Sequence, residues 1–277
     1  MNIHRKKLNM NELMMILIPV LSLLTSSVLC DSQLYQPHEV EVEHNSHLPV
    51  QPELVRVFHG CHKKSGSFDL CMKNAFNELR LYFKSGFPDI HVAPFDPHKS
   101  PHVEQRRGLT FGSGSGYRLI LRHVSEYGWT NSKVTKYRTD FGNNRIIYSQ
   151  DFPEKSLDGE YEFKGLMFGR PYVTKGFWNM TLYDYAQTTS VTRVGGPGGI
   201  LKVRVEIDKI GDLKLKISDL FGGRKIIENT ADFFINNMWR PGFPFVRPLI
   251  NDLVSTAFTD IFNESFRYFP VDDYIKE

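Results

Sequence analysis

The sequence predicts an α+β fold in which an antiparallel sheet wraps round a long C-terminal helix. Three observations carry that reading. Between Tyr117 and Ile217 apolar residues recur with period two, as in strands with one wet and one dry face. From Val246 to Phe262 they fall at Val246, Leu249, Ile250, Leu253, Val254, Ala257, Phe258, Ile261 and Phe262. That is the i, i+3, i+4, i+7 spacing of a helix, sustained for about five turns. Phe (21) and Tyr (12) are numerous, which suits strands and an apolar interior. The helix's apolar side chains sweep more than half its circumference, wider than the stripe of a surface helix. It is therefore expected to be enclosed on most sides.

The chain of 277 residues suffices for one large domain or two small ones. Apolar content of 41% and charge of 23% are those of an ordinary globular protein. Residues 1–30 read as a secretory signal peptide. Arg5-Lys6-Lys7 supply its positive start, and Leu13 to Leu24 is an apolar run interrupted by Pro19 and Ser22. Val28 and Cys30 are small enough to place cleavage before Asp31. The run is short of the roughly 20 residues that a membrane span needs, so no stable membrane insertion is expected. The leader carries three positive charges and one negative, so the net charge falls from +3 to +1 without it. That is too weak a balance for nucleic acid or an anionic surface.

The mature chain opens with a polar tail, 31–53, read as flexible; residues 54–277 are read as one domain. Cys61 and Cys71 remain after the leader, an even count in an oxidising compartment, and are expected to form a disulfide. Two sequons, Asn179-Met180-Thr181 and Asn263-Glu264-Ser265, are candidate N-glycosylation sites. Asn179 lies on the strand face opposite Trp178 and Met180, and Asn263 lies nearly opposite the apolar arc of the long helix.

A helix capped by Ser67 or Asp69 should run to about Ser85, with Met72, Phe76, Leu79 and Phe83 as its apolar stripe. Gly86 to Pro97 is Pro-rich and extended. The strands that follow include Leu201, Val203, Val205 and Ile207 alternating with Lys202, Arg204 and Glu206. Turns are expected at Gly128, Gly142-Asn143-Asn144, Asp158-Gly159, Gly195 to Gly199 and Gly211-Asp212. Helix returns at about Arg224 to Trp239. Arg240-Pro241-Gly242-Phe243-Pro244 should break or kink it before the long helix.

Catalytic and metal-binding patterns are missing. Gly112 to Gly116 matches neither a nucleophile elbow nor a phosphate loop. The histidines His38, His44, His47, His59 and His62 show no structural zinc spacing. No cofactor and no metal are expected.

Five ordered features resemble the takeout / haemolymph juvenile hormone-binding protein family of insects. The first is the cysteine pair and following helix, Cys61 to Phe83. The second is Gly86-Phe87-Pro88-Asp89-Ile90 with Pro94-Phe95-Asp96-Pro97, similar to the family's "G-I-P-E-L-x-V-P-P-L-D-P". The third is Tyr127 to Val134, similar to "G-L-S-N-F-K-V". The fourth is Phe152-Pro153 with Leu157 to Tyr161, similar to "I-P-K-L-x-L-x-G-x-Y". The fifth is Asp219 to Lys225 with Phe234 to Trp239, similar to "N-L-F-N-G-D-K … F-L-N-E-N-W".

The resemblance implies a highly curved antiparallel sheet rolled round a long C-terminal helix, a super-roll of the TULIP type, with an apolar ligand tunnel between them. It implies a secreted, non-enzymatic carrier of a lipophilic small molecule such as a juvenile hormone-like terpenoid or a fatty-acyl compound. Some relatives are linked to circadian output, feeding or chemosensation. Hormone carriers have a second disulfide for which this mature chain lacks the cysteines, so it looks closer to the takeout branch. Candidate tunnel-wall residues are Trp129, Tyr148, Trp178, Met180, Phe234, Met238, Phe258 and Phe262. The competing reading is an extracellular signalling or interaction protein whose cavity is purely structural.

Overall fold

The computed structural model describes residues 49–107, 116–167, 170–196, 198–220 and 225–277. The expected leader, nearly all of the expected tail and Gly112 to Ser115 lie outside them.

Alternation of wet and dry residues builds a curved, six-stranded antiparallel sheet that does not close into a barrel. Its strands are β1 (His98–Arg107), β2 (Tyr117–Tyr127), β3 (Lys133–Asp140), β4 (Arg145–Met167), β5 (Arg170–Val194) and β6 (Ile200–Ile217). The first strand thus precedes the stretch where alternation is obvious. The order is β1-β2-β4-β5-β6, and β3 also pairs with β4. β4 is long enough to pair β3 along residues 145–151 and β2 along 156–164, so the two shorter strands share one side of it. On β6, Leu201, Val203, Val205 and Ile207 are buried while Lys202 and Arg204 are exposed, as the alternation predicts.

Two expected turns are not turns. Gly159 lies inside β4 and Gly211 inside β6. A Cβ on Gly211 would lie 2.7 Å from the Asp184 side chain and 3.0 Å from the Tyr183 carbonyl. Glycine therefore marks a close approach there, a reading the sequence signal does not separate from a turn. Nearby, the inward face slips by one residue in two strands. Phe152 and then Lys155 are buried on β4, and Leu182 and then Tyr185 on β5. Pro153 has no N–H to give the ladder, and Asp184 sits opposite with φ 49°. The slip turns Lys155 inward.

The helices are α1 (Pro52–Phe58), α2 (Phe68–Leu79), α3 (Lys225–Phe266) and α4 (Val271–Tyr274). α1 begins inside the expected tail. α2 stops earlier than expected and continues as a 3-10 turn, Arg80–Tyr82. Neither expected cap bonds its own helix; the Asp69 carboxylate accepts from the Thr139 amide of β3 instead.

Of the break or kink expected at Arg240 to Pro244, α3 shows no break. It runs 42 residues through Pro241, Pro244 and Pro248. All three prolines are exposed, and their i, i+3, i+7 spacing puts them on one side. Carbonyls deprived of a helical donor there turn to water, so the helix continues at a tolerable cost.

Nor is α3 enclosed on most sides. Among its described residues only Phe258 and Ile261 are buried. The side that meets the edge of β6 is polar, because that edge has no partner strand among the described residues. Asn251, Ser255, Thr259 and Asn263 accept from the amides of Ile207, Val205, Val203 and Leu201 in turn, at 2.8–3.1 Å. Four helical residues rise about 6 Å and two strand residues about 6.7 Å, so the ladders stay in step. Asn236 extends the seam, bonding both the amide and the carbonyl of Leu215. Across the roll, Gln105 of β1 donates to the Leu249 carbonyl and to Asp252, and Arg107 pairs with Asp252 at 2.8 Å. One helix thus bridges both edge strands.

Candidate functional site

Two apolar clusters meet at one end of the roll. The first lies between the sheet and α3, around Trp129, Phe152, Tyr185 and Phe258. The second joins α1 and α2 to the C-terminus, around Leu54, Phe58, Met72, Tyr274 and Ile275. The Cys61–Cys71 disulfide ties α2 to the incoming chain, with Cα atoms 5.5 Å apart. The Tyr274 hydroxyl accepts from the Gln51 amide, and the Lys63 amide donates to the Lys276 carbonyl. N- and C-terminal segments therefore form one cap.

A cavity of about 380 Å³ lies between the clusters. α1 and α2 contribute Leu54, Phe58, Phe68, Met72 and Phe76; the Pro-rich segment contributes Phe87, Val92 and Phe95. The β2–β3 connection adds Trp129, the sheet adds Tyr148, Gln150, Val191 and Leu201, and the chain's end adds Phe262, Phe266, Phe269 and Ile275. If each methylene-sized group takes roughly the 30 Å³ share of a water molecule, the space takes about a dozen heavy atoms. It falls in the size range of small-molecule sites.

Of the expected wall residues, Trp129, Tyr148 and Phe262 line the cavity. Phe258 is buried one layer behind, its ring 5.6 Å from Trp129 and 6.2 Å from Phe262. Trp178 and Met180 are half-buried on β5 and outside the lining. Met238 is corrected outright: it is 49% exposed. The Phe234 side chain lies outside the described residues. Sequence reasoning missed Met72, Phe76, Phe83, Phe95 and Phe266. The stripe of α2 was visible, but nothing local showed what it faces.

Asn179 is exposed, as its strand face predicts. Asn263 does not face away from the protein. Its amide nitrogen donates to the Leu201 and Thr259 carbonyls and its oxygen accepts from the Leu201 amide. A glycan there would displace those bonds.

Behind Trp129 the interior is charged. The Lys155 ammonium lies 2.6 Å from Glu126, with side-chain exposures of 3% and 8%. It also donates to the Gln187 amide oxygen at 3.2 Å. The rings of Phe152, Trp129 and Tyr185 stand 4.5, 4.6 and 5.1 Å from it. Burial pushes the Lys155 amine below its ordinary value, and Glu126 opposes that. The Tyr148 phenol is raised by burial, with Thr189 opposing.

His98 faces Glu126 across the β1–β2 ladder and is 8% exposed. Burial lowers its imidazole, against the attraction of Glu126 and Glu264. Both its ring nitrogens, and Trp129 Nε1, are buried without a hydrogen-bond partner among the described residues.

No group of three or more metal-ligating side chains occurs among the described residues. No described helix is long and apolar enough to cross a membrane.

A curved antiparallel sheet bridged by one long helix over an apolar cavity defines an α+β roll. The crystal structure of Epiphyas postvittana Takeout 1 shares that fold. It matches with a TM-score of 0.52 at 17% identity, over 76% of this chain and 96% of that one. The profile of the haemolymph juvenile hormone binding protein (JHBP) family matches residues 42–276, and the chain belongs to that family. Its similar proteins include the circadian clock-controlled protein daywake of Drosophila yakuba, 22% identical over 205 residues, or 70% of this chain and 78% of that protein. The Drosophila melanogaster daywake is 22% identical over 212 residues, or 70% and 79%.

Proposed function

We propose that the protein is a secreted, non-enzymatic carrier that holds one lipophilic small molecule in this cavity. The molecule is a juvenile hormone-like terpenoid or a fatty-acyl compound. One observation carries the reading: a ligand-sized space whose wall is built from aromatic and aliphatic side chains of every layer of the fold. Family membership and the shared roll support it. Burying ten methylene groups contributes about 8 kcal/mol, a scale that reaches micromolar affinity when ordering costs are small. The names of the daywake relatives make clock-controlled expression the physiological setting to examine first.

Native mass spectrometry of the secreted, deglycosylated protein tests the carrier reading, followed by solvent extraction of whatever is bound. A stoichiometric lipophilic molecule supports it. A clean apo mass, with no uptake of terpenoid or fatty-acid probes, favours the interaction protein with a structural cavity.

A further inference from the structure

Two charged side chains line the cavity among the described residues, Lys63 and Arg193, and both are cations. Lys63 has a counter-charge, since its ammonium lies 3.5 Å from a Glu277 carboxylate oxygen. Arg193 differs. On β5 it stands two residues beyond Val191 and directly opposite Leu201 of β6, and both of those line the cavity. Residues two apart on a strand share a face, as do residues paired across an antiparallel ladder. The Arg193 side chain therefore rises from the cavity face, at the end of the wall. Its Nη1 donates to the Arg267 carbonyl at 2.8 Å and to the Gly199 carbonyl at 3.3 Å. Arg267 directly follows α3, so the guanidinium also caps that helix's C-terminal end, where carbonyls lack helical donors. Its Nε and Nη2 make no hydrogen bond, and the side chain makes no ion pair, among the described residues.

We propose that the Arg193 guanidinium takes the carboxylate end of an acidic lipid whose chain lies in the cavity. The proposal rests on the carrier reading and narrows its ligand class to a fatty acid or a terpenoid acid.

Three properties select a carboxylate. A guanidinium only donates, and its planar fork matches the two oxygens of a carboxylate. An alcohol or ester oxygen would take a single neutral bond and leave the charge unbalanced. Second, the clasp to α3 uses Nη1 alone and holds the group in place, so little freedom is lost when a ligand pairs with it. Third, the local field is positive. Burial lowers the Arg193 guanidinium from its ordinary value, and the neighbouring Arg267 adds to the effect. Arg267 itself donates through Nε to the Gly198 carbonyl. An anion beside Arg193 relieves that strain, whereas an amine would add a third positive charge. Arg193 is half-buried, so water screens part of the attraction and the expected preference is modest.

The test uses two isosteric probes of about twelve heavy atoms, a size set by the cavity: decanoate and methyl nonanoate. Each displaces the neutral fluorophore N-phenyl-1-naphthylamine from the secreted protein at pH 8 and low salt. Decanoate is expected to bind about tenfold more tightly than the ester, the scale of one charge-assisted hydrogen bond at a partly wet site. Added salt should shrink that ratio, because a half-exposed pair is screened. Arg193→Met, which keeps an apolar stem, should bring the ratio close to one. Arg193→Lys, which keeps the charge without the fork, should restore part of it. A role confined to clasping α3 would lower the melting midpoint of Arg193→Met and leave the ratio at its wild-type value, which overturns the proposal. If Arg193→Met fails to fold, the wild-type ratio, its salt dependence and Arg193→Lys decide. Equal wild-type binding of the two probes also overturns it, as does a preference that Lys63→Gln removes and Arg193→Met keeps; each leaves the carrier intact. Failure of both probes and of the fluorophore removes both.

Discussion

Burying Lys155 takes an ammonium out of water, and its neighbours must offset that loss. Glu126 offers the counter-charge, Gln187 an acceptor, and the rings of Phe152, Trp129 and Tyr185 their negative faces. Removing one member leaves the other stranded. Lys155→Met should lower unfolding free energy by about 3–5 kcal/mol, because Glu126 stays buried and unpaired. Pairing it with Glu126→Gln should recover much of the loss. Denaturant melts of the single and double variants measure both. His98 sets a second expectation at this scale. Its folded-state pKa lies below the ordinary 6.5, with burial as the main cause. Below pH 6.5 the unfolded chain therefore binds the proton more readily than the folded one, and stability falls as pH falls from there towards the folded value. His98→Phe should flatten that slope. The carboxylate of Glu104, held near 2 chiefly by its bond to Arg118, acts in a separate window. Its stabilisation is present above 4.5 and is lost as pH falls towards 2. Thermal melts between pH 7 and pH 2 separate the windows. None of these roles was legible in the sequence. Strict alternation from Phe152 makes Lys155 an outward residue, and only the slip at Pro153 and Asp184 brings it in.

An element's sequence pattern states which side is apolar, but not what the polar side is for. On α3 the stripe Asn251, Ser255, Thr259, Asn263 reads as a wetted face, yet it supplies the missing partner strand for β6. The helix is consequently less buried than its apolar arc implies. Thr259→Val keeps the shape and strips the bond that the Val203 amide donates. It should cost about 1–2 kcal/mol, since an unpaired strand amide results. Faster hydrogen exchange confined to Val203 and its neighbours would localise the effect. The prolines invert the lesson. Their sequence signal is a break, but exposure on one side of α3 lets tertiary packing override it. Pro244→Ala should stabilise the protein by about 1–3 kcal/mol, since proline is roughly 3 kcal/mol worse than alanine in a helix interior. An unchanged melting midpoint would mean that the prolines shape a bend that the sheet requires. The strands were easier to read. β6 keeps one face dry along Leu201 to Ile207, so period two carries the answer, whereas Gly159 and Gly211 share their signal with turns and mislead.

At the scale of the whole molecule the sheet and a long C-terminal helix were foreseen, though not as one helix of 42 residues, and half the cavity wall comes from the cap that joins the two chain ends. Sequence periodicity carries no information on that contact, because it pairs residues more than two hundred positions apart, as Gln51 and Tyr274 are. The cap makes its own demand on the proposed carrier function. Val271 and Ile275 line the cavity, while Tyr274 and Ile275 are 5% and 7% exposed and fill the second core. Ending the chain at Pro270 removes a section of wall and the clasp to Gln51 and Lys63. The two lost side chains contribute about 1.5–3 kcal/mol each, so the cap should loosen by several kcal/mol. The sheet is held by its own ladders and by the α3 seam, neither of which includes these residues. Far-UV circular dichroism should therefore keep its strand signal, while affinity for an apolar fluorophore falls at least tenfold. A matched loss of strand signal and binding would show instead that cap and sheet fold as one cooperative unit. Unchanged affinity would mean that this section of wall does not hold the ligand.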